Sequence, residues 1–151
     1  MVMGVIKKLK IWFLTFFRDV FVYHNSSLEF RAKLFAAIIG ANKKVDACEE
    51  KILEEVAREI YPNDEARADV LVRTTKEYVN KIVQNNGLDL NELILAIDHE
   101  LKEVRRFCDK VDIEKLKRFL VCTQKDEETL MLQQRILEFL SRELEDFRKI
   151  R

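Results

Sequence analysis

The sequence predicts an all-α protein, a pseudo-symmetric bundle of about seven helices, and three observations carry that prediction. The 151 residues contain three Gly and one Pro and are rich in Leu, Glu, Lys, Arg, Ala and Ile, so helix breakers are scarce and helix formers abundant. Apolar residues recur at helical spacing along the chain and nowhere alternate with polar ones over a strand's length. Finally, "KILEEVAREI" (Lys51 to Ile60) returns almost unchanged as "RILEFLSREL" (Arg135 to Leu144). The length suits one domain with a real core and is short for two.

The first helix is expected over about residues 3 to 24. At 100° per residue, Val5, Ile6, Leu9, Trp12, Phe13, Phe16, Phe17, Val20 and Tyr23 fall on one charge-free arc. Ile11, Leu14, Phe21 and Val22 lie off that arc, among the charges, and one docking face would not cover them. Residues 1–25 therefore read as a hydrophobic amphipathic segment in front of a helical domain over 26–151. Lys7, Lys8, Lys10 and Arg18 against Asp19 give the segment a net charge of +3, which leaves −3 on the remainder of a chain whose total is +0. The uncharged run from Ile11 to Phe17 is too short for a membrane span, which takes roughly 20 largely apolar residues. It suits an interfacial anchor instead, with Ile11, Trp12, Leu14, Phe16, Phe17 and Phe21 meeting lipid or a partner and the basic residues meeting anionic headgroups. The alternative is one more core helix.

Ser26 followed by Glu29 reads as a capping box. The helix it opens, "LEFRAKLFAAIIGA", is apolar around most of its circumference and should be central. Asp46 and Glu49 form a second capping box for the helix that holds the first repeat, which buries Ile52, Leu53, Val56, Ala57 and Ile60 and stops at Pro62. A longer helix over about 64 to 85 turns Val70, Leu71, Thr74, Tyr78 and Ile82 inward, with Ala66 or Ala68, and ends at Gly87. Asp89 and Glu92 start the next, whose apolar arc runs from Leu90 through Leu93, Ile94, Ile97, Leu101 and Val104 to Cys108. Asp112 caps a short helix with Ile113, Leu116, Phe119 and Leu120. A turn at "TQKDEET" leads into the helix of the second repeat.

Neutral total charge excludes a nucleic-acid footprint. Cys48, Cys108 and Cys122 make no CxxC or zinc-type spacing, so three thiols in a reducing compartment, the cytoplasm, are expected. Cys48 sits in a first helical turn, where Glu49 and Glu50 would oppose a thiolate, and Cys108 and Cys122 read as small apolar residues near the core. His99 lies in "HELKE", which lacks the second His of a zinc-protease helix, and it faces away from Leu93, Ile97 and Leu101. His24 ends the first helix. With no phosphate-binding glycine loop and no Ser beside a base, no catalytic residue is assigned and the chain is read as a non-enzyme.

Shifting residues 34–60 by 84 positions pairs Phe35 with Phe119, Asn42 with Asp126 and Glu49 with Gln133. Each half then reads as a helix, a loop opening on Asn or Asp, and a helix with Glu or Gln seven residues later. Such likeness arises by duplication, or by convergence of two capped amphipathic hairpins.

"LFAAIIGANKKVDACEEKILEEVAREIY" and, less closely, "RFLVCTQKDEETLMLQQRILEFLSREL" resemble the tellurite-resistance TerB family and the TerB-like N-terminal module of the DnaJ-like membrane co-chaperone. The resemblance covers about residues 26–150 and rests on a spaced pattern. It implies a non-catalytic, stress-associated interaction protein, cytoplasmic or peripheral at the inner face of a bacterial membrane, with a protein partner, a second copy or the membrane surface as its contact. It further implies a divalent cation held where the family has carboxylates, which maps onto Asn42, Glu49, Asp126 and Gln133. Two of these four are amides here, and Lys43 and Glu127 stand where the family has glycine, which departs from a full set of charged oxygen ligands. The alternatives to the interaction reading are a divalent-metal-binding helical module and an oligomeric, co-chaperone-like adaptor.

Overall fold

The computed structural model describes residues 26–84 and 89–149. In chain order these form α1 (Ser26–Gly40), α2 (Ala47–Ile60), α3 (Glu65–Val83), α4 (Leu90–Glu103), a 3₁₀ segment (Arg105–Lys110), α5 (Ile113–Lys117), a second 3₁₀ segment (Arg118–Thr123) and α6 (Glu127–Lys149). The all-α bundle of about seven helices predicted from sequence is the fold observed, with no strand among the described residues. The helix expected over residues 3 to 24 lies outside the described residues, and with it Ile11, Trp12, Leu14, Phe16, Phe17, Phe21 and His24; so does Gly87.

Helix α1 occupies the centre, as its all-round apolar sequence requires. Leu28, Phe30, Ala32 and every residue from Leu34 to Gly40 are buried. Helix α3 comes so close to the end of α1 that a Cβ on Gly40 would sit 2.9 Å from Cδ1 of Ile82. Five aspartates cap the bundle's helices: Asp46, Asp64, Asp89, Asp112 and Asp126 accept from the backbone N–H groups of Glu49, Arg67, Asn91, Lys115 and Thr129, which satisfies donors that a helix start leaves without partners.

Two local expectations are corrected. The apolar arc of α4 does not continue to Cys108, because the helix stops at Glu103. Val104 turns to extended geometry, and this brings Phe107 into the core, where its ring stacks on Phe30 at 4.6 Å. The buried face of α3 is Ala68, Leu71, Thr74, Thr75 and Val79, whereas Val70, Tyr78 and Ile82 are only half-buried. The Glu29 carboxylate accepts from the Tyr78 hydroxyl at 2.6 Å, and the Glu49 carboxylate is buried in the core.

The two repeats bury the equivalent pairs Leu53 and Leu137, and Val56 and Leu140. Leu53, Val56 and Ala57 of α2 are buried, and so are Ile136, Leu137, Leu140 and Leu144 of α6. Phe35 and Phe119, equivalent under the 84-residue shift, touch each other with ring centroids 5.7 Å apart. A contact between equivalent residues is what a local two-fold relation produces. Arg118 reinforces the junction by pairing with Glu55, at 3.2 Å, and with Glu59 of α2.

Candidate functional site

The polar residues singled out by the repeat lie where each helix pair turns. Leaving α1, the chain makes two tight backbone bonds, Asn42 N–H to the Ile39 carbonyl (3.0 Å) and Lys43 N–H to the Gly40 carbonyl (2.9 Å). Lys43 adopts φ 59°, the left-handed region that glycine favours. This turn directs the Asn42 side chain at α2. Its Nδ2 donates to Glu49 Oε1 at 2.7 Å, while the Glu49 backbone N–H is held by Asp46.

Glu49 is fully buried, and its second oxygen, Oε2, has no hydrogen-bond partner. Burial pushes its carboxyl from the ordinary 4.5 up to about 7. The Asn42 amide opposes that rise, the Asp46 carboxylate adds to it, and the Asp46 N–H and the Lys44 charge oppose it more weakly.

Gln133, the equivalent of Glu49, is also fully buried but is satisfied differently. Its Oε1 accepts from the Thr123 hydroxyl at 2.5 Å, and its Nε2 donates to the carbonyl of Ile38 at 2.9 Å. Ile38 is among the last four residues of α1, whose carbonyls have no partner further along the helix. Gln133 therefore acts as a C-terminal cap supplied from 95 residues away.

Asp126, the fourth candidate, lies at the surface with Asn42's relation to the next helix altered. Helix α6 begins directly after it, and Asp126 caps that helix, with Thr129 donating from its hydroxyl to Oδ2 at 2.7 Å. Helix α2, in contrast, begins only after Asp46. The hydrogen bonds from Thr129 hold the Asp126 carboxyl below its usual range, and the Lys44 charge adds to this. The four residues thus divide into a half-buried Asn42 bonded to a buried Glu49, a buried Gln133 bonded to Thr123 and Ile38, and an exposed cap.

The expectation of three thiols is corrected. Cys48, in the first turn of α2, and Cys122, near the end of the second 3₁₀ segment, form a disulfide across 74 residues with Cα atoms 5.8 Å apart. The inference of a reducing compartment from unpaired cysteines falls with it. Sequence spacing hides the pair because only packing of the two hairpins brings these turns together. Cys108 stays a thiol and packs half-buried against the core. His99 is exposed, as its place on the helical wheel predicts.

A separate cleft of about 220 Å³ opens between α1, the end of α2 and the segment before α5, lined by Arg31, Glu59, Asp109, Lys110, Asp112 and Lys115 over an apolar floor of Leu34, Phe35 and Leu116. Its charges are mixed, three basic and three acidic. Apolar side chains also reach solvent on the second hairpin: Val121 is 65% and Met131 54% exposed. None of the helices among the described residues is long and apolar enough to cross a membrane. No family model, curated protein or solved structure matches the chain.

Proposed function

We propose that this chain is a non-catalytic, TerB-like, stress-associated interaction protein of the tellurite-resistance type, and that residues 1–25 attach it peripherally to the inner face of a membrane. The observation that carries the reading is the use of the repeat's polar residues inside the fold. Glu49 is engaged by Asn42, and Gln133 by Thr123 and Ile38, so these groups brace the two hairpins. Contact with other molecules then falls to the outer surface and to the aromatic, basic first segment.

The alternative of a divalent cation held by Asn42, Glu49, Asp126 and Gln133 has less support. A hard cation needs several anionic oxygens converging on it, whereas here two groups are amides and Asp126 is occupied with Thr129 at the surface.

The test is co-sedimentation of the full chain with anionic and neutral vesicles at low and high salt, beside a Trp12→Ser/Phe16→Ser variant. Expected is salt-sensitive pelleting with anionic vesicles alone, lost in the variant. A full chain that stays in the supernatant with every vesicle refutes the membrane role.

A second reading, an oligomeric adaptor, is favoured by the exposed Val121 and Met131. It predicts a dimer mass in light scattering that reverts to monomer in Val121→Ser/Met131→Ser. A monomer at high concentration in the unaltered chain eliminates it.

A further inference from the structure

The Cys48–Cys122 disulfide has a third group beside it. One carboxylate oxygen of Asp46 and the two sulfur atoms all lie within 4.8 Å of one another. Asp46 uses Oδ1 to cap α2 through the Glu49 N–H, and that bond fixes its carboxylate at the mouth of the pair. Cys48 is exposed, while Asp46 and Cys122 are half-exposed, so the trio is open to solvent on one side.

We propose that, once reduced, Cys48 and Cys122 together with Asp46 form a binding site for a thiophilic divalent cation of the zinc class, so that metal binding is gated by the redox state of the pair. The reaction balances in two steps. A dithiol reductant gives two electrons and two protons to the disulfide, leaving two cysteine thiols and the oxidised, cyclic form of the reductant. The cation then displaces both thiol protons, forms two metal–thiolate bonds, and takes a carboxylate oxygen of Asp46 as third ligand.

The geometry suits this step. Tetrahedral zinc with metal–sulfur bonds of about 2.3 Å places two thiolates about 3.7 Å apart. After reduction the two side chains stand on backbones 5.8 Å apart, and rotation about their Cα–Cβ bonds accommodates that separation. Two sulfurs and one oxygen leave a fourth position for water or a ligand group, and the soft pair selects zinc-like ions over magnesium or calcium. The site differs in its residues from the carboxylate and amide set of Asn42, Glu49, Asp126 and Gln133.

The experiment uses the full chain, reduced with a water-soluble phosphine that is then removed without air, beside the same chain left oxidised. Each is titrated with Cd²⁺ to read thiolate-to-metal charge transfer, and with Zn²⁺ against a chromophoric chelator to read stoichiometry. Expected is one equivalent bound per reduced chain and none by the oxidised chain. Cys108→Ser should bind as the unaltered protein does. Asp46→Asn, which keeps the helix cap, should bind about tenfold or more weakly, since even groups one shell out carry that much. Cys48→Ser should lose the charge-transfer band.

Alkylation followed by mass spectrometry gives a readout without any variant: Zn²⁺ should slow modification of Cys48 and Cys122 and leave the rate at Cys108 unchanged. The proposal is overturned if the reduced chain shows no charge transfer at one equivalent of Cd²⁺, if Cys48→Ser binds like the unaltered chain, or if Zn²⁺ leaves alkylation of Cys48 and Cys122 unaffected. A reduced chain that has lost its helical circular dichroism and does not recover it with Zn²⁺ overturns it too.

Discussion

Glu49→Gln should make the protein more stable at alkaline pH and leave it almost unchanged in acid. Glu49 is fully buried, with Oε1 held by Asn42 and Oε2 without a partner, and its carboxyl is pushed up to about 7 from an ordinary 4.5. In the unfolded chain the carboxyl ionises near its ordinary value. Between those two values the folded state therefore holds a proton that the unfolded state has released, and stability falls as pH rises. The contribution is fully present below about pH 4.5 and is gone a little above pH 7. A shift of this size, at about 1.4 kcal/mol per pH unit, amounts to ~3 kcal/mol across the window. Glutamine keeps the oxygen that accepts from Asn42 and carries no charge, so the variant lacks this slope. Urea unfolding of the oxidised protein and of Glu49→Gln, in chelator and at constant ionic strength from pH 5 to pH 8, measures the difference directly. Other carboxyls that titrate in the same range, among them Glu143, which burial pushes upward, contribute equally to both proteins and cancel. Expected is an advantage for the variant of about 1 kcal/mol or less at pH 5 that grows to roughly 3 kcal/mol at pH 8. A difference that stays constant across the range, or one that favours the unaltered protein at pH 8, refutes the reasoning.

Gln133→Ala removes the groups that satisfy the Ile38 carbonyl and the Thr123 hydroxyl and opens a small void between the hairpins; a loss of about 2–4 kcal/mol in denaturant unfolding is expected. Reduction of Cys48–Cys122 in the absence of metal releases a closure spanning 74 residues, which the chain-entropy relation values at about 4 kcal/mol, to be read from the denaturation midpoint with and without reductant. Lys43→Gly relieves a left-handed backbone at φ 59° and should raise stability by about 1 kcal/mol, with a correspondingly higher melting temperature; a loss would mean that the lysine side chain supports the loop more than its backbone strains it.

The sequence by itself determined the helices, their order and most of their caps. Helix formation and capping depend on neighbours three and four positions away, so Asp46, Asp89 and Asp112 are legible as starts and the all-round apolar α1 as the centre. The repeat was also legible, and the equivalent pairs Leu53 and Leu137, Val56 and Leu140 are buried alike, while Phe35 touches Phe119. The tertiary structure alone decided what the polar residues do. Glu49 is written in the chain as half of a capping box, and only burial against Asn42 makes it an interior carboxyl. Gln133 finds the carbonyl it caps 95 residues upstream, and Cys48 finds its partner 74 residues downstream. Helix α4 ends at Glu103, and the 3₁₀ segment that follows sets the Phe107 ring on Phe30, a ring from the first described helix. Local propensity is encoded within a few residues, whereas hydrogen-bond partners, disulfides and ring contacts depend on which distant segments the hydrophobic core draws together.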